Sequence, residues 1–213
     1  MFDRPKPRRY DSPRRSQQAA ATRREILEAA LRLFEQRGYT ATTMAAIATE
    51  AGVALKTVYV AFQTKRGLLL ALWHLRLRGD EAPVPVGERP WFREVIDEPD
   101  PERLLRLNAR NSLVVKERAG PLLEILRNAA SADGELAALW KRIQTEFYDN
   151  QRAVVERLQA NNALRPGLEL DQAADILWAL NHPDLYRLLV GERGWTPQQY
   201  EEWLGDAFCT QLL

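Results

Sequence analysis

Hydroxyl and ammonium groups gather in one short stretch of this sequence. Thr43, Lys56, Thr57, Tyr59 and Lys65 all fall within it, with Leu55 beside them. Side chains of these types are common partners of phosphate oxygens, and a leucine can touch a thymine methyl. Bond-making chemistry has no comparable constellation. The two histidines, His74 and His182, are far apart, and neither stands in a His-x-x-x-His or Glu-x-x-His arrangement. No nucleophile elbow, phosphate loop or dinucleotide-binding glycine pattern occurs. The carboxylates fall at helical spacings that suit solvated faces and ion pairs. One cysteine, Cys209, excludes an internal disulfide framework and a cysteine-based metal cluster. The expectation is therefore a chain that is not an enzyme and carries no metal and no cofactor.

Charge supports a polyanionic partner. The net charge is only +1, but residues 1–78 hold 15 Lys and Arg against 6 Asp and Glu, while residues 79–213 hold 15 against 23. An asymmetry of this size points to a polyanion-binding part joined to a part that does not bind polyanions. Residues 1–15 read as a disordered basic arm. They carry Arg4, Lys6, Arg8, Arg9, Arg14 and Arg15 among three prolines, with little to bury. Such an arm can follow a DNA backbone or enter the minor groove. No apolar run reaches the length of a membrane span, and no secretory signal is present. Together these absences favour a cytoplasmic protein with no membrane partner.

The elements that must position the phosphate-type residues are helical. Ile26, Ala30, Leu33 and Phe34 recur at helical spacing, and Gly38 supplies a terminus. Thr22-Arg23-Arg24-Glu25 fits a capping box for this helix, with Ser16 as a rival start. Thr43 caps a helix over Met44–Ala51, and a second short helix runs from Leu55 to Phe62. Ala51-Gly52-Val53 between them has the size of a helix-turn-helix turn, where Gly52 meets the demand for a positive φ. Thr64 then caps a helix from Lys65 to Leu77. On the second short helix, Val58 and Phe62 face the core, while Leu55, Lys56 and Tyr59 face outward. Thr43 sits at a helix N-terminus, where free amides and the dipole attract phosphate. Lys65 lies in the first turn of the fourth helix and is placed to grip a phosphate.

Three runs resemble the N-terminal domain of TetR-family transcriptional repressors. Ile26–Tyr39 (ILEAALRLFEQRGY) resembles its first helix, Thr42–Val53 (TTMAAIATEAGV) its second helix and turn, and Thr57–Leu69 (TVYVAFQTKRGLL) its recognition helix and the start of its fourth. The resemblance covers about residues 16–77 and implies an all-α fold. Its parts would be a helix-turn-helix DNA-binding domain over 16–64, a connecting helix over 65–78, and a helical ligand-binding and dimerisation domain over 79–213. It implies phosphate contacts at Thr43, Tyr59 and Lys65, groove-facing positions at Leu55, Lys56 and Thr57, and binding of a homodimer to a palindromic operator in double-stranded DNA. Ala54 stands where many members carry a capping serine, and Leu55 where a small or polar residue is usual. The implied function is a repressor released by a small-molecule effector. The alternative is a DNA-organising or adaptor protein on the same fold.

The second half continues in helices. Candidates run over Glu102–Arg118, Pro121–Ala130, Glu135–Asn161, Gln172–Leu189 and Pro197–Leu212, with Asp133, Asp171 and Thr196 as start signals. The Pro/Gly-rich stretch from Gly79 to Pro101 reads as the domain boundary. Tyr200, Trp203, Leu204, Ala207, Phe208, Gln211 and Leu212 form a stripe on the last helix, suited either to the core of one chain or to a four-helix interface with a second copy. Arg106, Asn111, Trp140, Phe147, Trp178 and His182 are candidates for an effector cavity, which would be mostly apolar with a few orienting polar groups. The His182-Pro183 step is expected to bend or interrupt its helix.

Overall fold

A run of helix-forming residues starts the fold earlier than the capping signals suggest. In the computed structural model, which describes residues 13–78, 84–131 and 133–213, α1 spans Pro13–Ala41. It passes through both Ser16 and Thr22 without stopping. Gln17, Gln18 and three alanines between those two positions all favour helix, so nothing upstream breaks it, and proline suits a first turn. Arg14 and Arg15 thus lie in helix, while the rest of the expected basic arm falls on residues outside those described. Gly38, at φ 78° and ψ 161°, interrupts α1 near its end.

The chain divides into two units, Met1–Leu72 and Trp73–Leu213, each with its own core. In the first, α1 is followed by α2 (Met44–Glu50), α3 (Leu55–Phe62) and the beginning of α4 (Lys65–Arg78). Ile26, Leu27, Leu33 and Phe34 of α1, Ile47 and Ala48 of α2, Val58 and Phe62 of α3, and Leu68 and Leu69 of α4 are all buried. Their three- and four-residue spacing makes one apolar face on each helix.

The second unit continues with α5 (Pro90–Asp97), α6 (Pro101–Ala130), α7 (Gly134–Ala160), α8 (Leu170–Leu180), α9 (Pro183–Tyr186) and α10 (Pro197–Leu212). α6 packs on α5, α7 and α10, and α8 packs on α7 and α10. Several starts carry side-chain caps: Asp100 accepts from the Arg103 amide, Asp133 from the Glu135 and Leu136 amides, and Thr196 and Gln199 form a reciprocal capping box. Asp171 is not a cap. α8 begins one residue before it, after Glu169, and the Asp171 carboxylate instead accepts from Arg152 at 2.6 Å.

Two expected boundaries shift for clear physical reasons. α6 is one helix rather than two, with Pro121 inside it. An interior proline costs about 3 kcal/mol. Gly120 before it has no Cβ to meet the proline ring, and burial of Ala119, Leu122 and Leu126 around it outweighs the cost. Conversely, the expected helix over Gln172–Leu189 stops at Leu180. His182-Pro183 starts the short α9, which passes into a wider π-type turn over Arg187–Glu192. On α10, Tyr200, Leu204, Phe208 and Leu212 are buried in the unit's own core, so that line of the expected stripe is intrachain packing. Cys209 is half-buried.

Ala54 precedes α3 and provides no side-chain cap. Ala54→Ser is expected to add about 1 kcal/mol of stability. Thermal unfolding of the two proteins should show a rise in Tm of a few degrees.

Candidate nucleic-acid interface and effector cavity

The turn between α2 and α3 closes as a full Schellman motif. The Val53 amide donates to the Ala48 carbonyl at 3.0 Å and the Gly52 amide to that of Thr49 at 3.2 Å. Gly52 has a φ of 66°, the left-handed conformation that a side chain would strain. The two helices turn by 112° across this break, within the range of a DNA-binding helix-turn-helix. Thr43 caps α2, its Oγ accepting from the Ala46 amide at 3.1 Å.

α3 turns only Val58 and Phe62 inward. Leu55, Lys56, Thr57 and Tyr59 are exposed, as is Thr43. Val60, 75% exposed, is the most open large apolar side chain on this helix and was not among the expected contacts. It lies four residues after Lys56, so helical spacing alone places it on the same outer face. Leu55 and Tyr59 are 40% and 48% exposed, giving α3 an apolar surface that its own chain leaves uncovered. The C-terminal end of α3 is tied to α1. Arg23 donates to the Ala61 carbonyl at 2.7 Å, and its guanidinium lies 4.1 Å from the Phe62 ring centroid.

Lys65 departs from the expected role. Its ammonium does not stand free for phosphate. It donates to the carbonyls of Tyr39 at 2.7 Å, Thr42 at 2.8 Å and Thr40 at 3.3 Å, and lies 4.3 Å from the Tyr39 ring centroid. An ammonium has three donors, and all three are used at the carbonyl-rich end of α1, which a positive charge stabilises. Partial burial holds its pKa below the ordinary lysine value. Lys65 is therefore a brace that fixes the segment leading to Thr43.

Within the second unit, one cavity of about 100 Å³ is lined by Trp73, Leu77, Trp91, Phe92, Ile143 and Phe147 and by a polar group that includes Asn108, Asn111, Lys116, Gln151 and Asn181. A second, of about 420 Å³, is lined by Trp140, His182, Glu117, Glu124, Arg127 and Arg187 among others. Lys116, Leu123 and Pro183 border both. Of the six expected cavity residues, Asn111 and Phe147 line the first, and Trp140 and His182 the second. Arg106 lines neither. It pairs with Glu102 at 2.8 Å and Asp206 at 2.9 Å on the exposed side of α6. Trp178 also lines neither and stacks edge-on against Tyr148 and His182. Burial keeps the His182 pKa below the ordinary value, and its Nδ1 accepts from the Asp184 amide.

A buried polar chain lies in this region, and of its members Lys116, Gln151 and Ser112 were not among the expected residues. Lys116 donates to Asn181 Oδ1 at 2.5 Å. The Asn181 amide donates to Gln151 Oε1 at 2.9 Å and Ser112 Oγ at 2.8 Å, and Asn108 reaches Gln151 Oε1 at 3.4 Å. Lys116 is 4% exposed, and burial without an opposing charge lowers its pKa from 10.5 to about 7. A signal was present: Lys116 follows Ala109 and Leu113 at helical spacing, on the face that is otherwise apolar.

The sequence comparisons bear on both parts. Residues 26–72 match the family described as bacterial regulatory proteins, tetR family. Over 174 residues the chain is 30% identical to the HTH-type transcriptional regulator TtgR of Pseudomonas putida, covering 78% of this chain and 79% of that one. The chain belongs to the TetR family of transcriptional regulators. It is also 29% identical over 167 residues to the HTH-type transcriptional regulator AcrR of Shigella flexneri, covering 76% of this chain and 75% of AcrR. Among solved structures, the SmeT–triclosan complex superposes with a TM-score of 0.70 at 22% identity, over 91% of this chain and 92% of that one. MbdR from Azoarcus sp. CIB gives 0.70 at 20%, over 90% and 99%. The TetR fold thus extends through both units, and the helix-turn-helix of α2 and α3 is the family's DNA-binding element.

Two measurements follow for this TetR-family chain. Lys65→Ala should lower stability by about 1–3 kcal/mol, because three carbonyls lose a charged donor, while Tyr59→Phe should leave it within about 0.5 kcal/mol. Circular dichroism melting reads both, and an unchanged Lys65→Ala protein would return that lysine to solvent. The second concerns pH. The folded pKa of Lys116 is depressed, so below about pH 7 both states hold the proton and the folded state bears the full cost of burying the charge. Between about 7 and 10.5 the unfolded state holds more protons, and stability rises with pH. Lys116→Met should therefore be more stable than the parent by about 3 kcal/mol near pH 6.5, and the gap should narrow toward pH 9.5.

Proposed function

We propose that this TetR-family regulator is a repressor that binds a palindromic operator as a homodimer and is released when a small molecule occupies the second unit. The observation that carries the reading is α3 itself. An eight-residue helix at 112° to its partner leaves Leu55, Lys56, Thr57, Tyr59 and Val60 uncovered. In a helix-turn-helix, the second helix enters the major groove. Tyr59, Thr43 and Lys56 would take phosphate oxygens, with Leu55, Thr57 and Val60 toward base edges. One helix of this length makes few base contacts, so a two-fold pair over two half-sites is needed for specificity.

The effector reading rests on the cavities of the second unit, whose lining is apolar with a buried polar chain at one side. Trp73 and Leu77, on the last two turns of α4, belong to that lining. The same helix begins at Lys65, which braces the approach to Thr43. A ligand that fits only one position of α4 would shift the population of DNA-competent dimers by its differential affinity for the two forms. No single described helix is long and apolar enough to cross a membrane, in keeping with a regulator that works in the cytoplasm.

Selection from random duplexes with the full-length protein should enrich paired, inverted half-sites. Equal affinity for unrelated duplexes would remove the repressor reading and favour a DNA-organising role. On the selected site, Lys56→Ala should lower the dependence of log affinity on log salt by about one unit. Tyr59→Phe should weaken binding about fivefold through one lost hydrogen bond. Light scattering of the free protein tests the dimer.

A further inference from the structure

The buried lysine of the second unit has no role in the DNA reading and works against the stability of the fold. Lys116 is 4% exposed and borders both cavities. Of its three donors, one is satisfied by a neutral acceptor, Asn181 Oδ1. Its ammonium also lies 5.1 Å from the Tyr200 ring centroid. Among the described residues no carboxylate pairs with it; Glu146, in the lining of the smaller cavity, is exposed to water on α7. A buried ammonium without a counter-ion is costly, and one on the border of a cavity is a fixed site for an anion. The cavity next to it is walled by Trp91, Phe92 and Phe147, faces suited to an aromatic ring, and at about 100 Å³ it falls short of the roughly 300 Å³ at which drug-sized sites begin.

We propose that Lys116 is the anion-recognition residue of the effector site, and that the site takes a small aromatic carboxylic acid with its carboxylate on the Lys116 ammonium and its ring among Trp91, Phe92 and Phe147. This rests on the effector reading above and names the chemical class of the ligand. The carboxylate supplies the charge that the protein withholds, and its second oxygen is free to accept from the neighbouring amide chain. A cationic ligand of the same shape meets the lysine charge and is rejected. A neutral one leaves the ammonium desolvated and gains less.

Calorimetry on the full-length protein at neutral pH tests this with 3-phenylpropionate, 3-phenylpropionamide and 3-phenylpropan-1-amine. The acid is expected to bind at least about tenfold more tightly than the other two, as one charge-assisted hydrogen bond implies. Lys116→Met should remove that preference. Asn181→Asp keeps the cation but gives it an internal carboxylate, and should also weaken the acid about tenfold. This second variant guards against misfolding of the first. Binding of the amide or amine as tight as that of the acid overturns the proposal. So does no binding of the acid at about 10 mM, or an undiminished acid preference in Asn181→Asp. Release of operator DNA by neutral compounds alone would keep the regulator and discard the acid site. Selective acid binding in a protein that recognises no operator would discard the regulator instead.

Discussion

An eight-residue helix that buries two side chains cannot hold its own position. α3 has Val58 and Phe62 as its only fully buried anchors, and a helix this short is unstable alone. Its direction must be imposed from its ends. At the N-terminal side, the Schellman turn at Gly52 converts the end of α2 into the angle at which α3 leaves. At the C-terminal side, Arg23 reaches from α1 to the Ala61 carbonyl and the Phe62 ring. Lys65 gathers three carbonyls just before α2. Two cations of the first unit thus hold the reading helix in place. This matters because sub-ångström placement decides whether side chains reach base edges, and a loosely held α3 would lose specificity before it lost affinity.

The cost of that arrangement is visible on the outer face. Leu55, Tyr59 and Val60 remain uncovered in a unit whose other described large apolar residues are buried or half-buried. In water such a surface gains nothing unless something else covers it. The absence of a side-chain cap at Ala54 leaves the first turn of α3 less fixed than that of α2, where Thr43 closes the helix. Specific sites are therefore expected to order the start of α3 on contact, an adjustment at the level of one turn.

Much of this was readable in the residues. The apolar spacing of α1, the Thr43 cap, the glycine turn, the inward pair Val58 and Phe62, and the capping box at Thr196 are local signals, and local physics decides them. What failed was long-range. Lys65 reads as a solvent-facing cation from its neighbours in sequence, because the three carbonyls it binds lie more than twenty residues earlier. Asp171 looks like a cap until Arg152 on α7 is brought beside it. Arg106 carries a cavity-like polarity but turns to Glu102 and Asp206. Pro121 reads as a break, yet burial on both sides overrides it. The Thr22 box was outcompeted by an uninterrupted stretch of helix formers. In each case a residue has a satisfactory local role and a better tertiary one.

The buried polar chain of the second unit shows the same competition between local and tertiary roles. Asn108, Gln151 and Asn181 satisfy one another across α6, α7 and the end of α8, and could hold those helices in register with no charge present. Lys116 supplies the donor to Asn181 Oδ1, which those three amides leave open. Among the described residues Asn181 Oδ1 is the only acceptor it uses, and a water or hydroxyl could fill that position at lower cost. On the same face Ala109, Leu113 and Ala119 show that apolar side chains pack there without difficulty. A methionine at position 116 would fit the pattern and remove a desolvated charge. An acceptor with negative charge at its remaining donors would offset that desolvation, and the adjoining aromatic cavity is where such an acceptor can enter.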